Sequence, residues 1–216
     1  MKINLDQLWH SGKEQDWEVA YRNYWSRVPP KRVAIVKEFD QFDVELVKSM
    51  STEEFYRFLY DKYFVWKFET TVAPDGARAL DDRRKDLEKY EVEGLVGLGK
   101  THDKLFLFDQ SDIRKGLVIA KEIHGLGIAG ASGLLAVLFP KYFGTVDRFV
   151  VKSLLQVSDL PQHNELKSMN PSYLKLADGV ILIQILRDKA AQLNQQFQSS
   201  SWTPQKIDLI LWGIRN

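Results

Sequence analysis

Two places in this sequence combine residue types and spacing that can do chemistry. The first is Ile123-His124-Gly125-Leu126-Gly127-Ile128-Ala129-Gly130-Ala131-Ser132. An apolar helix enters it, two glycines bracket one apolar residue, and a helix of small residues leaves it. Gly125 and Gly127 permit backbone angles that a Cβ opposes, so the chain can reverse within a few residues. Leu126 is placed to clamp the two helices, and Ala129, Gly130 and Ala131 let them approach closely. The turn leaves the first amides of the second helix facing outward, a ready phosphate site. The second place is Asp147, in Tyr142-Phe143-Gly144-Thr145-Val146-Asp147-Arg148-Phe149-Val150. Its carboxylate can stabilise a developing positive charge or orient a water molecule. It can equally well cap the helix that opens at Arg148.

A hairpin of this kind followed by a Val-Asp pair at the start of the next helix resembles the helix-hairpin-helix DNA glycosylase superfamily. The similarity is compact, covering roughly residues 112–157, with the hairpin itself at 112–139. In lyase-competent members a lysine lies two residues past the second hairpin glycine, and the catalytic aspartate follows 18 residues later. Here those positions hold Ala129 and Asp147. The resemblance implies that Asp147 stabilises the oxocarbenium ion formed as a base leaves its deoxyribose. A methyl group cannot attack the sugar, so Ala129 implies a monofunctional enzyme that leaves an intact abasic site. Lys121 and Lys152 are the nearby lysines that could take the missing role.

The same resemblance assigns DNA contacts to His124, Gly125, Leu126, Gly127, Ile128, Ala129, Gly130 and Arg148. A base inside a duplex must be extruded before it is excised, and the gap must be filled. The order of elements places the filling loop at about Lys67 to Asp75, where Phe68 or Val72 could wedge and Thr70 or Thr71 could touch phosphate. Trp66, Phe68 and Tyr142 are candidate walls for the extruded base, although aromatics in a compact α domain are mostly core. The implied partner is double-stranded DNA carrying a modified base, with no membrane, and no protein partner is inferable. No cofactor is required and no metal site is expected beyond room for a monovalent cation at the hairpin carbonyls. The rival readings are a non-catalytic helix-hairpin-helix module that binds DNA or a modified base, and a structural α-helical protein.

The elements that must position these residues read as helices almost throughout. The expected fold class is all-α, with at most one short strand. The resemblance adds a two-lobed glycosylase layout with the cleft between lobes. In that layout the chain is one unit: 91–160 forms the lobe with the hairpin and Asp147, while 1–90 and 161–216 form the other. The N-terminal segment is expected to return beside the C-terminal helices.

Asp16 is placed to cap a helix running to Arg27, ended by Pro29-Pro30. Ser51-Thr52-Glu53-Glu54 is a capping-box pattern opening an aromatic helix towards Phe68. Pro74-Asp75-Gly76 breaks it, and a charged helix follows over Ala77 to Tyr90. Its Arg78, Arg83, Arg84 and Lys85 alternate with Asp81, Asp82 and Asp86, the pattern of a solvated face. Residues 91–110 read either way: three glycines suggest loop, and Leu105-Phe106-Leu107-Phe108 fits a short strand or a buried helical turn. Asn170-Pro171 offers a cap and first-turn proline for a long helix carrying Leu174, Val180, Ile181, Ile185, Leu193 and Phe197. Thr203-Pro204 repeats that signal for a terminal helix with the stripe Ile207, Ile210, Leu211 and Ile214.

Composition narrows the function classes. The 216 residues are 44% hydrophobic and 27% charged, the balance of a globular chain and not of a disordered one. They contain no cysteine, which excludes disulfides, thiolate zinc sites, iron–sulfur clusters and a cysteine nucleophile. The formal charge of +1 speaks against a strongly basic nucleic-acid binder, yet phosphate contacts need only a local basic face. The N-terminus lacks the apolar core of a secretory signal, and Val180–Leu186 is too short to span a bilayer. The expected location is therefore the cytoplasm, at the nucleoid if the protein is bacterial.

Overall fold

The computed structural model describes residues 3–40, 42–69 and 76–215, and among them every regular element is helical. The fold class is all-α. In chain order the helices are α1 (Leu5–Trp9), α2 (Glu14–Arg27), α3 (Val33–Asp40), α4 (Val44–Lys48), α5 (Thr52–Arg57), α6 (Phe64–Phe68), α7 (Gly76–Val92) and α8 (Val96–Leu107). They continue with α9 (Ile113–Lys121), α10 (Ile128–Leu138), α11 (Arg148–Leu154), α12 (His163–Ser168), α13 (Leu176–Phe197) and α14 (Pro204–Ile214). A 3-10 turn, Pro30–Arg32, precedes α3, and a π-helical turn, Phe58–Tyr63, joins α5 to α6. No helix among the described residues is long and apolar enough to cross a membrane.

Local chemistry explains most boundaries. The Ser51 capping box forms, with Glu54 N donating to the Ser51 hydroxyl and Ser51 N to the Glu54 carboxylate. The Thr203 hydroxyl accepts from Lys206 N, with Pro204 at the first helical position of α14. Two expected starts differ. The helix ending at Arg27 begins at Glu14, so Asp16 lies inside its first turn, where it accepts the Ser11 hydroxyl. Asn170-Pro171 does not open the long helix. The Asn170 side chain accepts Ser172 N and its carbonyl accepts Tyr173 N, closing a local turn that competes with helix. The helix starts at Leu176 instead, where the Asp178 carboxylate accepts Lys175 N.

Residues 105–107 are the last turn of α8, and only Phe108 beyond it is extended. The stretch packs as helix because Leu105 is fully buried while Leu107, two residues on, is exposed; alternation would put both on one face.

A large apolar core runs through the molecule, with a smaller cluster of Tyr24, Val28 and Val36 beside it. α14 lies along α2 so closely that a Cβ on Gly213 would come within 2.9 Å of the Tyr24 backbone. Trp202, just before α14, packs edge-on against Trp17 of α2 at 6.2 Å between ring centroids. The N-terminal segment thus returns beside the C-terminal helices, as expected. α13 packs on α9, α10 and α14, and α11 packs on α14. Ile207, Ile210, Leu211 and Ile214 are buried as their stripe predicts. The aromatic run α5–α6 packs on α7 and α8, and α8 hands over to α9 and the hairpin.

Candidate active site

The hairpin forms between α9 and α10. Asp112 caps α9 by accepting Lys115 N at 2.9 Å. Gly125 has φ of +85°, and a Cβ there would also meet the Arg83 carbonyl at 2.8 Å and the Phe64 ring. It is glycine for two independent reasons. Gly127 corrects the expectation: its backbone is extended (φ −83°, ψ −173°), and no atom lies within 4 Å of where its Cβ would stand. Any residue fits its conformation, and the space before it is open. As N-cap of α10 it supplies no side-chain partner for the first-turn amides.

Leu126 and Ile128 are core residues, and Gly130 is buried. Of the expected contact residues, these three can therefore offer at most main-chain groups to a ligand. α10 packs closely along α9, as expected, and two of its glycines meet other neighbours as well. Gly130 faces Phe68 and Leu126, and its carbonyl accepts the Tyr63 hydroxyl. Gly133 lies 3.4 Å from the Lys67 side chain. These two glycines thus make room for side chains of the π turn and α6, while α9 uses Gly116 to admit the rings of Phe108 and Phe143.

The connector from Phe143 to Asp147 is fastened at each residue. Phe143 is fully buried. Gly144 passes so close to α14 that a Cβ would sit 2.6 Å from the Pro204 carbonyl oxygen and 2.7 Å from Leu186. Thr145 N donates to Asp208 Oδ2 at 3.0 Å, and Val146 N donates to the Ser132 hydroxyl at 3.0 Å. Asp147 then caps α11, its Oδ1 accepting Phe149 N at 2.8 Å and Val150 N at 3.3 Å. The side chain is only half-buried.

The electrostatic surroundings of Asp147 come from distant parts of the chain. Burial pushes the Asp208 carboxyl up to about 8, and the charge of Asp147 adds to the rise. Lys67 and the hydrogen bonds from Thr145 oppose it. Burial and Arg27 lower Arg215, against the pull of Asp147 and Tyr24. Burial raises the Tyr24 hydroxyl, helped by the charges of Asp208 and Asp40, so it remains a neutral donor. The Arg215 guanidinium lies 3.2 Å from the centre of the Trp212 ring, and both Arg148 and Arg215 lie over Phe149. Asp147 thus stands beside Arg148 and within the fields of the buried Asp208 and of Arg215, while Lys67 acts on Asp208.

The remaining candidates divide. Arg148 is exposed beside Asp147, as expected of a phosphate contact. His124 is stacked on Tyr90, with ring centres 4.1 Å apart and planes within 10°. Trp66 is half-buried against Phe39 and Tyr63, next to Lys67, and its carbonyl accepts Arg32. Phe68 packs edge-on against Phe64 and touches the hairpin at Gly130.

Tyr142 stands apart. It lines a separate cavity of about 300 Å³ with Val44, Lys48, Phe106 and Pro140, and its carbonyl accepts Arg187. Asp147 is not among the residues lining that cavity. Val72, Thr70 and Thr71 lie outside the described residues. Lys121 and Lys152 are exposed at the ends of α9 and α11, and it is Lys67 whose charge acts on Asp208.

Sequence reasoning missed Asp208, Lys67 and Arg215. The sequence carries no signal for Asp208, because position 208 lies outside the 207, 210, 211, 214 spacing of the buried stripe, where an acidic residue reads as a solvated flank. No protein-family model matches this chain, and searches of curated proteins and of solved structures return no match.

Proposed function

We propose that the chain is a monofunctional DNA glycosylase. It hydrolyses the N-glycosidic bond of a modified or damaged base extruded from duplex DNA. The observation that carries this reading is the placement of Asp147. A half-buried carboxylate stands at the start of α11 with one oxygen fixed by two amides, and cationic side chains lie around it. As the base leaves, the negative charge of Asp147 offsets the positive charge developing on the sugar, and water adds to the anomeric carbon. The exposed Gly127 and the first-turn amides of α10 hold a phosphate, and Arg148 holds another.

On this reading the helices make two lobes about a cleft, and Asp147 lies at its edge. The partner is duplex DNA, and no cofactor is needed beyond a monovalent cation at the hairpin carbonyls. The setting is the cytoplasm, at the nucleoid if the protein is bacterial.

The test is incubation with duplexes bearing oxidised, alkylated, deaminated or hypermodified bases, read as alkali-labile sites. The expected result is a substrate whose strand stays intact until alkali is added. Strand cleavage without alkali would refute the monofunctional assignment.

A non-catalytic DNA-binding module is the second reading, favoured by one observation: capping α11 already accounts for Asp147 Oδ1. Gly127→Glu probes what both readings share. The fold has room for the side chain, so the thermal midpoint should stay unchanged. A carboxylate in front of the α10 amides should weaken duplex binding about tenfold, some 1.4 kcal/mol. Unchanged affinity, measured by fluorescence anisotropy at fixed salt, would remove the hairpin from the interface.

A further inference from the structure

We propose that Asp208 is the positioning residue of this site, fastening the Gly144–Asp147 connector to α14 and, as the buried carboxyl, leaving the site's negative charge to Asp147 against the opposing pull of Lys67. The inference rests on the glycosylase reading for its catalytic consequence, but its physical content does not depend on it.

Asp208 is only 6% exposed on a helix whose neighbouring positions 207, 210 and 211 are fully buried Ile and Leu. A carboxyl so deep in an apolar stripe carries a desolvation penalty, and persists where it holds something a hydrophobic residue cannot. Here it holds Thr145 N, a main-chain donor with no helix or sheet partner, two residues before Asp147. The adjoining Gly144 is in van der Waals contact with the first turn of the same helix. Losing the carboxyl would leave the Thr145 amide buried and unpaired and the connector free to lift from α14.

The groups facing Asp208 are Asp147 from the start of α11, Lys67 from α6 and Tyr24 from α2. At Gly144, α13 presents only the apolar Leu186. Two carboxylates within each other's field do not both ionise readily, and the buried one keeps its proton. The half-buried one, Asp147, then supplies the negative charge the oxocarbenium ion needs. Lys67 lies across Gly133 with its cationic end influencing Asp208.

The decisive measurement is the titration of the Asp208 carboxyl carbon by NMR in the full chain, assigned by its loss in Asp208→Asn. The expected midpoint is near 8 in the wild type. Lys67→Met should move it up, because Lys67 lowers it, and Asp147→Asn should move it down, because Asp147 raises it. A midpoint in the ordinary carboxylate range, or one that neither substitution moves, overturns the proposal whether or not any DNA is cut.

The positioning role is read separately. Asp208→Asn retains an oxygen for Thr145 N and should keep single-turnover excision within about threefold at pH 7. Asp208→Ala should lose about a hundredfold with duplex affinity unchanged. Wild-type excision by a folded Asp208→Ala protein would also overturn it. If the wild type excises no base, the glycosylase reading fails, and the titrations still decide whether the three groups are coupled.

Discussion

Asp147→Asn should lower single-turnover excision on the order of a thousandfold while leaving both the fold and duplex affinity nearly intact. The separation follows from how the side chain is used. Asp147 Oδ1 accepts the amides of Phe149 and Val150, and asparagine presents an oxygen in the same place. Asparagine and aspartate are about equal as N-caps, so the cap survives and the thermal midpoint should move by no more than about 2 °C. What disappears is the negative charge. A neutral amide cannot offset a cation forming on the sugar, and it removes from Asp208 the repulsion that Asp147 exerts. Single-turnover kinetics on the duplex identified by the screen, with anisotropy for affinity, check both halves. Full excision by the variant would exclude Asp147 from the chemistry and leave it a helix cap.

The same residue shows where sequence reading stops. Its cap role and its spacing from the hairpin are local, and both were legible: α11 opens at Arg148 with Asp147 as N-cap. The Ser51 capping box, the Thr203-Pro204 start and the Ile207–Ile214 stripe were legible for the same reason, since each depends on side chains within one or two helical turns. The environment of Asp147 is not local. Lys67 and Asp208 lie 80 residues before it and 61 after it in the sequence, and no period or motif joins them.

Asn170 shows a second limit. Asx residues satisfy helix caps and isolated turns with the same hydrogen bond, so tertiary packing decides between them, and here it chose the turn. Gly127 shows a third. Two glycines in one turn look equivalent on paper, but only Gly125 has a positive φ and a crowded Cβ site. The distinction matters for function, because the unconstrained glycine is the one facing open space.

Gly144→Ala should be among the most damaging single-methyl changes in the chain, for a reason unlike that at Gly125. The Gly144 backbone needs no left-handed conformation; the obstacle is what stands next to it. A Cβ would lie 2.6 Å from the Pro204 carbonyl oxygen and 2.7 Å from Leu186 Cδ1. Leu186 could change rotamer, but the Pro204 carbonyl belongs to the first turn of α14, which is anchored by the Thr203 cap and packed along α2. The strain therefore falls on the connector, which must retreat from α14. Retreat stretches the hydrogen bond from Thr145 N to Asp208 and carries Asp147 with it. Overpacking of this kind costs about 1–3 kcal/mol, and the loosened buried hydrogen bond adds on the order of 1 kcal/mol. A midpoint lowered by roughly 6–12 °C in thermal unfolding is the expected reading. Any excision should fall at 25 °C, where the variant is still folded, because a shift near 1 Å at a reacting group costs about a hundredfold. An alanine variant with the wild-type midpoint would show that the connector yields without cost, and that its contact with α14 does not set the position of Asp147.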